Sequence, residues 1–151
     1  MAQPIAAGHG PGHERLRPVV LGIDARRPCD AVTGFAFEAA LRRGAPLHAV
    51  HAWCLPAPAG PSLPVAPPEE DRGAWEDEEV QLLADALRPW RKKYPRVPVY
   101  EDVRLQGPPT ALVHASESAG LVVVGRGGTT LGPTLMAVLG HARCPVTVVP
   151  H

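Results

Sequence analysis

Two features of this chain place chemically capable groups at the ends of apolar runs. Asp24 follows Val19-Val20-Leu21-Gly22-Ile23, and the glycine-rich stretch Gly125-Arg126-Gly127-Gly128 follows Leu121-Val122-Val123-Val124. A carboxylate so placed either meets a ligand or accepts the N–H groups of the turn behind it. A glycine-rich turn that opens a helix either gathers backbone N–H groups around an anion or merely joins strand to helix. Arg26 and Arg27 stand just past Asp24, where they meet an anionic ligand or lie solvated at the surface.

The other reactive residue types form no constellation. His48 and His51 are three residues apart in one apolar run. On a strand they face opposite ways and cannot share a metal, so one is expected packed and the other edge-facing. Ser62, Ser116 and Ser118 have no adjacent base and no nucleophile-elbow glycines, which leaves serine hydrolysis unsupported. Cys29, Cys54 and Cys144 are odd in number and far apart, with neither a disulfide framework nor a CxxC spacing. Reduced thiols in a cytoplasm are expected, with Cys144 a small buried hydrophobe. The acidic run 76–79 reads as the polar start of a helix, where acid suits the dipole. Trp53, Trp75 and Trp90 read as core and interface aromatics. No catalytic residue and no metal site is assigned.

These groups need a scaffold, and the pattern of apolar runs supplies one. The chain has 151 residues, within the range of one domain and long enough to bury a core without disulfides or metal. Fifteen basic residues balance fifteen acidic ones, which excludes the global basic field of a generic nucleic-acid binder. No apolar run approaches the roughly 20 residues of a membrane span, and the N-terminus lacks the pattern of a secretion signal. Residues 1–16 are expected to be a disordered arm, and the proline-rich stretch 55–70 an irregular insertion. Strands are expected at 19–24, 47–53, 97–105, 121–125 and 146–149. Helices are expected from Asp30, acting as cap, to Arg43; from Gly73 to Lys93, with Pro89 kinking the last turns; from Pro108 to Ala119; and from Pro133 to Leu139. Alternating strands and helices indicate an α/β fold, a doubly wound five-stranded parallel sheet of order 3-2-1-4-5. Ligands bind such sheets beyond the carboxyl ends of the strands, at the switch point between the first and fourth. Asp24 and Gly125 would both border that crevice.

Five stretches, in this order and spacing, resemble the universal stress protein family over about residues 17–149. They are Pro18–Asp24, Arg43–Trp53, Leu87–Pro95, Gly120–Gly125 and Ala142–Val149. The resemblance implies an adenine-nucleotide-hydrolase-like Rossmann-type fold for a domain of residues 17–151. Many members bind ATP and others do not. In those that do, a G-x2-G-x9-G-(S/T) motif follows the fourth strand, an aspartate ends the first, and a backbone group of the second holds the adenine. Asp24 matches the aspartate, where a carboxylate suits magnesium or the sugar-phosphate region. Ala52 matches the adenine-contacting position. Gly125 and Gly128 match the opening of the motif, and Gly132 its third glycine. Only three residues separate Gly128 from Gly132 where the family has nine, and the hydroxyl position is taken by Pro133, with Thr134 one place later.

The resemblance and this departure lead to a universal stress protein-like regulatory module whose binding of ATP and magnesium is weak or lost. The alternative is a functional ATP-binding member, with slow hydrolysis, using Asp24 and the Gly125–Thr134 loop. An adenylyl-transferring enzyme ranks last, for want of a catalytic constellation. The final strand lies at a sheet edge in this order, and family members often pair through it, so a homodimer is expected. No nucleic-acid or membrane partner is expected.

Overall fold

The structure is a computed structural model that describes residues 16–55, 69–127 and 132–151. Most of the expected arm and insertion therefore lies outside the described residues. The elements run β1 (Val19–Gly22), α1 (Asp30–Arg43), β2 (Leu47–Trp53), α2 (Glu69–Lys93), β3 (Val99–Leu105), α3 (Pro108–Ser116), β4 (Leu121–Arg126), α4 (Pro133–His141) and β5 (Val146–Pro150). All strands are parallel, in the order β3-β2-β1-β4-β5. Val19 stands opposite Leu47 on one side and Leu121 on the other, so β1 occupies the centre. This is the doubly wound sheet that the sequence indicates.

Side-chain alternation along the central strands divides the core in two. Val19, Leu21 and Val123 pack with Phe37 of α1 and Leu83 and Leu87 of α2. Val20, Val122 and Val124 pack with Leu112 of α3 and Val138 of α4 on the opposite face. Both faces are covered, which explains why β1 and β4 read as unbroken apolar runs. Among the described residues, no helix is long and apolar enough to cross a membrane.

Several boundaries differ from the sequence reading. Asp30 is the first helical residue of α1 and not its cap; the N-cap is Cys29, which makes no side-chain bond there. The Asp30 charge still favours that helix end through the dipole. Gly44 closes α1 in the left-handed region, at φ 62°, where its N–H donates to Leu41 C=O. Helix α2 begins earlier than expected and continues through Pro89 to Lys93. Its last turns are held by packing: the Phe37 ring lies 6.0 Å from Trp90 and 5.6 Å from Tyr94. Helix α3 stops at Ser116, short of Ala119, because the Ser116 hydroxyl donates to Val113 C=O and accepts the Arg143 N–H. A serine that bonds backward in this way competes with the helical ladder.

The edge strand β3 is tied to β2 by a small polar group. Asp102 Oδ2 lies 2.7 Å from His48 Nε2 and 2.8 Å from an Arg104 guanidinium nitrogen. His48 is thus the edge-facing histidine and buried His51 the packed one, as the spacing indicates. Burial alone pushes the Asp102 carboxyl up, but Arg104 and then His48 outweigh it and hold it below the usual 3.8. A carboxyl lowered on folding stabilises the native state above its unfolded value, and that contribution vanishes as pH falls through the folded value. Thermal unfolding followed from about pH 5 down to pH 2 should therefore lose stability less steeply in Asp102→Asn than in the natural chain. Equal slopes would assign the acid loss to other carboxylates.

Candidate functional site

The carboxyl ends of β1, β2 and β4 open on a crevice of about 700 Å³. Small-molecule sites occupy roughly 300–1,000 Å³ and favour the switch point of such a sheet. Asp24, Ala52, Gly125 and Thr134 all line it. Gly132 stands outside the lining, and Gly128 lies outside the described residues.

Asp24 is exposed, and its Oδ1 accepts the Arg26 N–H at 3.1 Å, while the Asp24 C=O accepts the Arg27 N–H. It organises the turn, and an ionised carboxylate has further acceptor capacity for a cation. Among the described residues, no group of three or more His, Cys, Asp or Glu side chains could hold a metal. Asp24 alone suits a magnesium ion that keeps its waters and is held chiefly by phosphate oxygens.

Ala52 is placed by the end of its neighbour. Strand β1 stops at Gly22, opposite Val50, while β2 continues to Trp53. Val50 C=O accepts the Ile23 N–H, and Trp53 C=O accepts the Gln106 N–H beyond β3. Alternation along β2 therefore turns the Ala52 N–H and C=O toward the side from which β1 has withdrawn. Backbone groups at this position face the crevice whatever the side chain.

The two glycines at the ends of the phosphate-loop motif are not equivalent. A Cβ on Gly125 would meet Val32 Cγ2 at 2.8 Å and the His151 ring at 2.9 Å, so this position requires glycine. Among the described residues, a Cβ on Gly132 would meet nothing within 4 Å. Gly132 is the extended N-cap of α4, with φ −76°. Gly125→Ala should lose about 1–3 kcal/mol in denaturant unfolding, the usual range for overpacking. Gly132→Ser, which supplies a capping hydroxyl, should stay within about 0.5 kcal/mol of the natural chain or exceed it. A large loss at Gly132 would contradict this assignment.

One group of residues escaped the sequence reading. Glu79 is 4% exposed, not part of a solvated acidic face. It stands on the same helical stripe as Leu82, Leu83, Ala86 and Trp90, and that spacing was the available signal. Arg26 Nη2 contacts both of its carboxylate oxygens, at 3.0 and 3.1 Å, and Arg26 Nε contacts one at 3.3 Å. His51, 3% exposed, accepts the Ala25 N–H at its Nδ1. The same Nδ1 lies 3.3 Å from Ile23 C=O, so each ring tautomer finds a partner there: with the proton on Nε2 it accepts from Ala25, and with the proton on Nδ1 it donates to Ile23. Arg26, His51, Glu79 and the half-buried Trp75 all line the crevice, so Trp75 belongs to the site and not to the core. Cys54 is exposed at the same opening, whereas burial pushes the Cys144 thiol up.

Residues 15–150 match the model of the universal stress protein family. A universal stress protein of Mycobacterium tuberculosis is 42% identical over 137 residues, covering 87% of this chain and 44% of its own length. One from Mycolicibacterium smegmatis is 36% identical over 158 residues, covering 97% of this chain and 51% of its own. The chain thus spans about half the length of these curated relatives. Among solved structures, the universal stress protein of Archaeoglobus fulgidus in complex with dAMP superposes with a TM-score of 0.62 at 27% identity. That match covers 89% of this chain and 98% of the other.

Proposed function

We propose, for a chain that belongs to the universal stress protein family, that the crevice takes the nucleoside part of an adenine nucleotide and holds a triphosphate weakly. The protein then acts as a ligand-responsive regulatory module and does not turn ATP over. One observation carries this reading: at the switch point, a crevice of nucleotide size has the backbone of Ala52 on its rim. The dAMP bound by the Archaeoglobus relative supports a ligand with one phosphate. The charge of the wall supports it too, because Asp24, Glu78 and Glu79 line the crevice with Arg26. Carboxylates outnumber the guanidinium there, which disfavours a highly charged anion without a bridging cation.

A second reading has its own observation. Thr134 lines the crevice, which supports its hydroxyl standing in for the one that Pro133 lacks. In that case Asp24 and Thr134 serve bound magnesium-ATP. Calorimetric titration with adenosine, AMP and magnesium-ATP separates the two. The first reading expects AMP to bind at least as tightly as ATP. Low-micromolar magnesium-ATP binding that is lost in Thr134→Ala would establish the second, and no binding of any adenine compound would overturn both.

A further inference from the structure

Glu79 and His51 place two buried polar groups side by side, one met by Arg26 and one not. A carboxylate buried as deeply as Glu79 needs a partner, and among the described residues Arg26 is its hydrogen-bond partner. His51 Nε2 is buried with no hydrogen-bond partner among the described residues, and it is a donor in the tautomer whose Nδ1 accepts the Ala25 N–H. It stands 3.6 Å from Glu79 Oε2, just beyond bonding reach. A buried N–H left unpaired is itself destabilising. Arg26 differs from both in being half-exposed, with 53% of its side chain accessible. It sits on the loop behind Asp24 and lines the crevice.

We propose that Arg26 is the phosphate-binding residue of the crevice and that it works by exchanging partners. A phosphate entering the crevice takes the guanidinium, whose planar fork matches phosphate oxygens as well as it matches a carboxylate. Glu79 then closes the short gap to His51 Nε2–H. With its proton on Nε2, His51 is the replacement that keeps Glu79 from being stranded. The exchange also weakens phosphate binding, because the anion competes with a carboxylate already in place. This rests on the reading that the crevice takes a nucleotide, and it adds the residue that reads the phosphate.

The experiment compares adenosine with AMP on the full chain. In the double variant Arg26→Met/Glu79→Gln, which strands no buried charge, AMP affinity should fall about tenfold to a hundredfold while adenosine affinity holds. In Glu79→Gln alone, Arg26 is released, and AMP should bind several-fold more tightly with adenosine again unchanged. In the natural chain, the NMR signal of His51 Nε2–H should move on adding AMP and stay in place on adding adenosine. AMP binding that survives the loss of Arg26, or equal loss of both ligands, overturns the proposal. If neither ligand binds the natural chain, the nucleotide reading fails instead. Inorganic phosphate then decides this inference alone: a shift of the Arg26 Nε–H and His51 Nε2–H signals supports it, and unmoved signals overturn it.

Discussion

A chain with six residues inserted between Gly128 and Gly132, where three now stand, and with Pro133→Ser should bind magnesium-ATP about 10²–10⁴ times more tightly than the natural chain. The reason lies at the start of α4. Pro133 is the first helical residue behind the Gly132 N-cap, the place where orphan N–H groups point out of a helix toward an anion. Proline there removes one backbone donor and offers no hydroxyl. The N–H groups of Thr134 and Leu135 remain available, which is why the expected defect is weak binding and not its complete loss. Hydrogen bonds to a charged group contribute roughly 1.5–3 kcal/mol each, so two missing donors account for about 3–6 kcal/mol. The inserted residues restore the length over which the family's loop arches around a triphosphate. Adding Asp24→Asn to the restored chain should cancel much of the gain, since Asp24 is the carboxylate suited to the magnesium. Tight binding by the natural chain would show that Thr134 and the short loop already suffice.

The scaffold of this site was legible because its strands are unambiguous. Residues 19–21 and 121–124 are buried on both faces, so periodicity and composition agree there. The positions of Asp24, Ala52 and Gly125 around one opening follow from strand order alone. What the sequence hid was polarity inside the core. Glu79 sits in an acidic run, and four consecutive acids look like a solvated helix start. Its burial follows from Arg26, a residue 53 positions away, and no local pattern encodes that pair. The end of α3 differs from the periodicity for a similar reason. Ser116 ends α3 through a bond to Val113 and another from Arg143, and the second exists only once α3 and the α4–β5 turn are packed.

Val148→Pro should convert a homodimer into monomers without unfolding the domain. We propose this dimer from β5, an edge strand of which Val146, Thr147, Val148 and Val149 are each half-exposed. Val122 N–H donates to Pro145 C=O, and His151 N–H donates to Arg126 C=O. In a parallel ladder this turns the N–H groups of Thr147 and Val149 toward β4 and those of Val146 and Val148 outward. Pro150 shares the outward parity and has no N–H, so it blunts the far end of the edge. The open segment is therefore short, and two outward donors serve it. A second copy adding its own β5 antiparallel, about a twofold axis, would satisfy them reciprocally. Proline at 148 removes the central donor from each copy while sparing the bonds to β4, and edge strands tolerate proline for that reason. Leaving two acceptors unmet at the interface costs about 1–3 kcal/mol each, so dimer affinity should fall by about 10–10⁴-fold. Sedimentation or light scattering at micromolar concentration reads the outcome, with circular dichroism confirming the fold. A natural chain that is monomeric under those conditions would remove the premise. A dimer that persists in Val148→Pro would place the interface on a surface other than β5.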